Sequence, residues 1–476
     1  MEIHPSIKYI FEPESVAVIG ASRDPLAWGH VILRNILEGG FKGRIYPVNP
    51  KADEILGLKC YPDIRAVPDS VDLAFIAVPA NLVPQVMEAC VEKGVKAAVI
   101  ITAGFREVGP EGEELEKKIV EIAERGGIKF VGPNCMGIFV AKKYLTATFG
   151  TVRPKPGHIA FISQSGAFGG TALRWATDRG IGFSSMISAG NSASLEVSDY
   201  LMYLADDETT KVTIAYIEGV RDGEKFKKAL DYYTKKKPLI VMKLGFTSSG
   251  GAAAQSHTGS LAGSDQAYNA VFKKYGVIRV YQFDEMFEIA QAFAHLPLPK
   301  GDRVGVVSGG GGWCVEASDS IESLGLKLPK LPDYIIEELN KMLPPFWNRR
   351  NPIDCVATPY PEVYVKAVDL LMKDDNFDMI LLIGFATFGT MTAGMESLIP
   401  REEQCARELL DIVRKYEKPI VLANPIGAHE IKPLKILREE GIPIYLTVQE
   451  GARVLKAMWD YASYRKRRSS ISSSSS

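Results

Sequence analysis

One local pattern occurs three times in this 476-residue chain, and it leaves little choice of architecture. A short apolar, β-branched run meets a turn rich in glycine and serine. Val16-Ala17-Val18-Ile19 precedes Gly20-Ala21-Ser22, and Ile159-Ala160-Phe161-Ile162 precedes Ser163-Gln164-Ser165-Gly166. Val304-Gly305-Val306-Val307 precedes Ser308 and the four glycines Gly309, Gly310, Gly311 and Gly312. Each run has the length of a strand buried on both faces, and each is followed by a helical pattern. Further apolar runs follow in every third, at 73–78, 97–102, 213–217, 239–243, 379–383 and 419–423. Strands alternating with helices predict an α/β fold of three doubly wound parallel-sheet domains.

Turn formers mark the boundaries. Arg153-Pro154-Lys155-Pro156-Gly157 and Pro297-Leu298-Pro299-Lys300-Gly301 cannot continue a helix. The expected domains are therefore 1–150, 151–298 and 299–464, followed by a disordered basic and serine-rich tail over 465–476.

Composition excludes several classes of function. A formal net charge of −1 provides no field to attract nucleic acid or anionic membrane. No apolar run approaches the roughly 18 residues needed to span a bilayer. Met1-Glu2-Ile3-His4-Pro5 lacks the basic and hydrophobic regions of a secretory signal. The six cysteines are scattered without a CxxC pair, so neither a disulfide framework nor a metal site is expected. The expectation is a reduced, cytoplasmic protein.

In doubly wound sheets, ligands bind beyond the carboxyl ends of the strands. A glycine turn there admits close backbone approach, and a helix start offers free N–H groups and a positive dipole end. For the first domain the obvious ligand is NAD, but Ser22 stands where the second glycine of GxGxxG belongs, and the third is missing near Pro25. After the next strand, Asn49-Pro50-Lys51 brings positive charge where NAD requires a carboxylate. That charge suits a more heavily phosphorylated ligand such as CoA.

Five ordered segments carry a resemblance. Gly20-Ala21-Ser22-Arg23, Pro47-Val48-Asn49-Pro50-Lys51, Ala77-Val78-Pro79-Ala80, Ile101-Thr102-Ala103-Gly104-Phe105 and Gly132-Pro133-Asn134-Cys135-Met136-Gly137 resemble the CoA-site motifs of succinyl-CoA synthetase α subunits. They are still more similar to those of ADP-forming acetyl-CoA synthetases. The resemblance implies a Rossmann-like CoA-binding domain followed by two flavodoxin-like domains. It implies that Gly20, Ala21, Ser22, Arg23, Asn49 and Lys51 hold CoA phosphates, while Val78, Pro79, Thr102, Ala103 and Asn134 line its path.

The segment 245–265 is almost wholly Gly, Ala, Ser and Thr around one histidine, His257. Composition alone fits a flexible surface loop with an incidental histidine. In this context, however, Ser256-His257-Thr258-Gly259 resembles the family's phosphohistidine loop, and neutral imidazole can take up and release phosphate. Glu218 ends the apolar run Tyr216-Ile217, where an unpartnered carboxylate would be costly. The resemblance makes it the group that orients His257. It likewise makes Ser163, Gln164, Ser165 and Gly166 one phosphate cradle and Gly309, Gly310 and Gly311 a second, with Asn191 as a phosphate-loop contact. Asp199 fits that segment or a helix-surface charge equally.

The implied reaction is acyl-CoA + ADP + phosphate ⇌ acid + CoA + ATP, with acetate and short-chain acids as the default substrates. The sequence contains no GxxxxGK[ST] and no recognisable ATP-grasp module. A separate nucleotide-binding β subunit carrying Mg-ADP or Mg-ATP is therefore expected, in an α2β2 assembly. Two rival expectations are a CoA-sensing or acylation-regulating protein and an NAD-dependent oxidoreductase.

Overall fold

A computed structural model describes residues 3–251, 264–425 and 431–473. It divides into two compact units, Met1–Met286 and Phe287–Ser476. The chain is α/β, built on three mainly parallel sheets.

The first sheet contains β1 (Ser15–Ile19), β2 (Arg44–Val48), β5 (Leu73–Ile76), β6 (Ala97–Ile100) and β7 (Lys129–Val131), in the order β2-β1-β5-β6-β7. The small hairpin β3 (Glu54–Ile55) and β4 (Leu58–Lys59) stands apart from it. All pairings in the main sheet are parallel, so every strand ends at the same edge. The order reverses at β1, the usual place for a ligand crevice. β1, β5 and β6 are buried along their full length, as continuous apolar runs require when helices cover both faces.

The second sheet has the order β14-β13-β12-β10-β11-β8-β9. Its parallel part is β10 (Pro156–Ser163), β11 (Phe183–Ser188), β12 (Val212–Ile217), β13 (Leu239–Lys243) and β14 (Ile278–Val280). β8 (Gly137–Val140) and β9 (Leu145–Thr148) add an antiparallel edge through β11. Residues 137–148, expected within the first domain, thus hydrogen-bond in the second sheet. Two short apolar runs joined by a tight turn pair with each other, and the free edge of β11 completes their bonding. The Pro-Gly cluster at 153–157 marks only where β10 begins. One apolar cluster runs from Val16 and Val18 through Ile138 and Leu145 to Ala160, Ile162 and Ala215, joining both sheets into one unit.

The second unit holds β15 (Val304–Ser308), β16 (Ile353–Asp354), β17 (Met379–Ile383), β18 (Ile420–Ala423) and β19 (Ile444–Tyr445), in the order β16-β15-β17-β18-β19. The final helix runs Val448–Ser473. Arg465, Lys466, Arg467 and Arg468 therefore lie on this helix, which corrects the expectation of disorder from residue 465. Lys and Arg are good helix formers. No helix among the described residues is long and apolar enough to cross a membrane.

Candidate active site

The loops after β1, β2, β5, β6 and β7 all emerge at the carboxyl edge of the first sheet, and they carry the residues expected to bind CoA. Gly20 has φ +90°, and a Cβ there would lie 2.3 Å from the Ala77 carbonyl oxygen. Gly29, in the helix Trp28–Gly39, is constrained harder: its Cβ would come within 2.0 Å of the Gly20 carbonyl oxygen. The helix can press against the turn only because Gly29 lacks a side chain, and the turn can press on Ala77 only because Gly20 does.

Asn49 braces this turn. Its Nδ2 donates to the Ala21 carbonyl at 2.7 Å, and its Oδ1 accepts from the Lys51 amide at 2.8 Å. Arg23 Nε donates to the Glu54 carbonyl at 3.2 Å, and Lys51 is exposed. Further along the edge, the Thr102 hydroxyl donates to the Val78 carbonyl at 2.7 Å, just before Pro79, and the Asn134 amide donates to the Thr102 carbonyl at 2.9 Å. The five loops thus form a row stitched by short polar contacts.

At one end of that row opens a cavity of about 750 Å³. Thr102, Ala103 and Asn134 line it together with Gln164, Gly166 and Asn191, so it joins the expected CoA path to the expected phosphate site. The turn at 20–23, Asn49, Lys51, Val78 and Pro79 lie outside its lining. Trp28 and Phe149, which the sequence reading did not single out, form much of its apolar wall together with Met136 of the fifth motif. Trp28 is 56% exposed and packs on Phe149 with ring centroids 4.6 Å apart.

The helix Gly166–Asp178 begins at this cavity, with Gly166 and Ala167 in its lining. Ser165 caps it, accepting from the Phe168 amide at 3.3 Å. The Ser163 hydroxyl donates to the Ser165 carbonyl at 2.7 Å. In the second unit, the Ser308 hydroxyl makes the same contact to the Gly310 carbonyl at 3.0 Å, and the helix Gly311–Ser323 begins at the next residue. Both strand-end serines thus shape a helix start that presents N–H donors and a positive dipole end, the requirement for holding an anion.

Glu218 follows the end of β12 and is 3% exposed. Its backbone amide donates to Gln164 Oε1 at 2.6 Å, the Gly219 amide donates to the same oxygen at 3.2 Å, and Gln164 Nε2 donates to the Gly219 carbonyl at 2.8 Å. The Tyr216 hydroxyl donates to Glu218 Oε1 at 3.4 Å, and burial together with that carboxylate raises the phenol above its ordinary pKa. The Gln164 carboxamide, expected at the phosphate, is instead the clamp on the segment that presents Glu218.

Asn191 differs from expectation in the same way. Its Nδ2 donates to Glu107 Oε2 at 2.7 Å and to Glu116 Oε2 at 2.9 Å. Arg221 Nη2 donates to Glu116 Oε1 at 2.8 Å, and Arg106 Nη2 donates to the Asn191 carbonyl. An amide flanked by two carboxylates turns its donors to them, so this side chain pins its loop rather than reaching for phosphate. Burial disfavours a charge on Glu107, but hydrogen bonds from Asn191, Gly104 and Phe105 outweigh it and hold the carboxyl below its ordinary pKa. Asp199 caps a helix, accepting from the Glu196 amide at 2.9 Å. Arg106 and Glu107 directly follow the 101–105 motif, the one signal in the sequence that could have found this network. His257 lies outside the described residues.

Three family profiles match in sequence: a CoA binding domain over 14–141, a succinyl-CoA ligase like flavodoxin domain over 156–293, and a ligase-CoA domain over 304–469. The chain is 42% identical over 455 residues to the α subunit of acetate–CoA ligase [ADP-forming] II of Pyrococcus furiosus, covering 95% of this chain and 97% of that one. It is also 42% identical to acetate–CoA ligase [ADP-forming] of Methanocaldococcus jannaschii, covering 96% of this chain and 63% of that longer one. Among solved structures, the dinucleotide-forming acetyl-coenzyme A synthetase 1 of Ca. Korarchaeum cryptofilum, in complex with phosphate and ADP, superposes with a TM-score of 0.89 at 36% identity, covering 97% of each chain. Neither a CoA-sensing role nor NAD-dependent oxidation finds support among these relatives.

Proposed function

This chain belongs to the family of ADP-forming acetate–CoA ligase α subunits, and from that premise we propose that it binds CoA along the carboxyl edge of its first sheet and ferries phosphate on His257. The reaction is acyl-CoA + ADP + phosphate ⇌ acid + CoA + ATP, with acetate as the default acid. The observation that carries this reading is the shared cavity, where Thr102, Ala103 and Asn134 meet the helix start at Gly166.

Phosphate attacks the thioester carbonyl beside that helix start, releasing CoA as thiolate and forming acyl phosphate. The fixed N–H groups and dipole favour the negative charge that gathers there. His257 then attacks phosphorus, the acid leaves as carboxylate, and Glu218 holds the proton on the other ring nitrogen. Gln164 keeps Glu218 in place.

We infer that the transfer to ADP uses a second chain. The Pyrococcus furiosus relatives that match nearly end to end are themselves α subunits. We infer a nucleotide-binding partner of ATP-grasp type that holds Mg-ADP, in an α2β2 assembly, with Gly309, Gly310 and Gly311 cradling phosphate at a later stage. A reducing cytoplasm suits the six free, buried cysteines.

The test is phosphoryl labelling. With the partner subunit and γ-labelled ATP, the wild-type chain takes up acid-labile phosphate and His257→Ala takes up none. Undiminished labelling of His257→Ala would falsify the assignment. Titration with CoA and NAD separates the ligand readings, and only CoA is expected to bind.

A further inference from the structure

The loop after β11 leaves the second sheet but is bonded along β7 of the first and the residues that follow it. The Asn191 amide donates to the Pro133 carbonyl at 2.9 Å, the Ala193 amide to the Gly132 carbonyl at 2.9 Å, and the Leu195 amide to the Phe130 carbonyl at 3.1 Å. At the start of the loop, the Ala189 amide donates to the Ser163 carbonyl at 2.7 Å, and the Met136 amide donates to Ser188 Oγ at 3.0 Å. Gly190 has φ +53°, and a Cβ there would lie 2.3 Å from the Pro133 carbonyl oxygen. One loop therefore touches both the cradle at Ser163 and the fifth CoA motif.

Three side chains continue the link. Glu107 Oε1 accepts from the Gly104 amide at 2.6 Å and from the Phe105 amide at 3.2 Å, closing the turn that follows Thr102 and Ala103. Its Oε2 accepts from Asn191 Nδ2 at 2.7 Å, and Glu116 Oε2 accepts from the same nitrogen at 2.9 Å. With Nδ2 facing two carboxylates the Asn191 carboxamide cannot turn over, because a flip would set its oxygen against both. Its Oδ1 thus faces the other way, and it accepts from Asn134 Nδ2 at 3.4 Å. Asn134 lines the cavity with Thr102, Ala103 and Gly166. A carboxamide has a donor at one end and an acceptor at the other, so its direction decides which of them a ligand meets.

We propose that Glu107 is a positioning residue for thioester cleavage: through Asn191 it sets the direction of the Asn134 carboxamide where the CoA path meets the phosphate cradle. This rests on the reading above that phosphate attacks the thioester in this cavity. In that step the bond from a phosphate oxygen to the carbonyl carbon forms. The carbon–sulfur bond breaks, and its electron pair leaves on the CoA sulfur. Glu107 and Asn191 form no bond and pass no proton. They hold one amide group in place, and a misplacement of about 1 Å can cost roughly 100-fold in rate.

The test uses this chain assembled with its nucleotide-binding partner, acetyl-CoA, and arsenate in place of phosphate, with no nucleotide present. Acyl arsenate hydrolyses in water, so cleavage turns over by itself and free CoA reports it without His257. Glu107→Gln keeps size and shape, but whichever way the new carboxamide turns, N–H meets N–H at Asn191 or at the 104–105 turn. It is expected to lower kcat for CoA release by about 10- to 100-fold, with KM for acetyl-CoA within about threefold of wild type. Asn134→Ala is expected to show a similar fall. Adding Glu107→Gln to Asn134→Ala should lower kcat by less than about twofold more, because the relay then has nothing left to orient. Wild-type kcat in Glu107→Gln overturns the proposal, as does a double variant in which the two falls multiply, the mark of a merely structural role. If Glu107→Gln does not fold, Glu107→Asp, too short to span from the turn to Asn191, is read by the same criteria. A wild type that releases no CoA with arsenate removes the cavity reading itself. A wild type that does, beside an unaffected Glu107→Gln, removes only the role of Glu107.

Discussion

Gln164 Oε1 accepts the backbone amide of Glu218 at 2.6 Å, a bond that ties the turn after β10 to the turn after β12. With two further bonds to Gly219, one carboxamide fixes the height and direction of the buried carboxylate. Gln164→Ala leaves those backbone groups without their partner, at a cost of about 1–3 kcal/mol in stability. Catalysis suffers more than binding, because an orienting group displaced by about 1 Å can cost roughly 100-fold in rate. The expected outcome is a kcat lower by about 10- to 100-fold with CoA affinity unchanged. Steady-state kinetics beside calorimetric CoA titration decide it.

Gly29 tests the CoA turn without touching a polar group. In Gly29→Ala the new Cβ would stand 2.0 Å from the Gly20 carbonyl oxygen, a backbone atom that cannot rotate away. The helix Trp28–Gly39 must then lift from the turn. CoA affinity is expected to fall at least about tenfold, and stability by about 1–3 kcal/mol, as overpacking commonly costs. Titration and urea unfolding read the two effects, and unchanged CoA binding would remove the 20–23 turn from the site.

The Glu116 carboxylate binds Asn191 and Arg221 from inside the protein. Glu116→Leu strands the Arg221 and Arg106 cations beside an apolar side chain. A loss of about 1–3 kcal/mol is expected, less than for a pair buried on both sides, because the Arg221 side chain is 41% exposed and can hydrate. Chemical denaturation measures it. The loss should exceed that of Glu113→Ala, whose ion pair with Lys117 is exposed on both sides.

The cysteines give a pH prediction. Burial pushes the thiols of Cys90, Cys135 and Cys405 up to about 12 and that of Cys314 to about 11, from an ordinary 9.0. The unfolded chain therefore releases these protons from pH 9 upward, while the folded chain keeps them until about pH 11 or 12. Their contribution to stability is full below pH 9 and is lost as pH rises through that window. Unfolding free energy is expected to drop by at least about 2 kcal/mol between pH 8 and 10.5. Cys135, although it lines the cavity, should resist iodoacetamide at pH 8 until the protein unfolds.

Much of the site was legible because its markers are local. Gly20, Thr102, Asn134 and Glu218 each follow an apolar run, and parallel pairing carries the ends of such runs to one edge. Glu116 was out of reach, because its bond to Asn191 spans 75 residues and leaves no periodic trace.

Strand and helix identity along this chain follows from hydrophobic period and from glycine, which act within a few residues of where they stand. Hence the three sheets, their order of appearance and the turns that end their strands were readable from the amino acids alone. Which way Gln164 and Asn191 turn, which sheet receives residues 137–148, and how far the last helix extends were settled only when distant groups met. Hydrogen bonds and free strand edges are satisfied by whatever packing brings within about 3 Å, and only the folded chain specifies that neighbour.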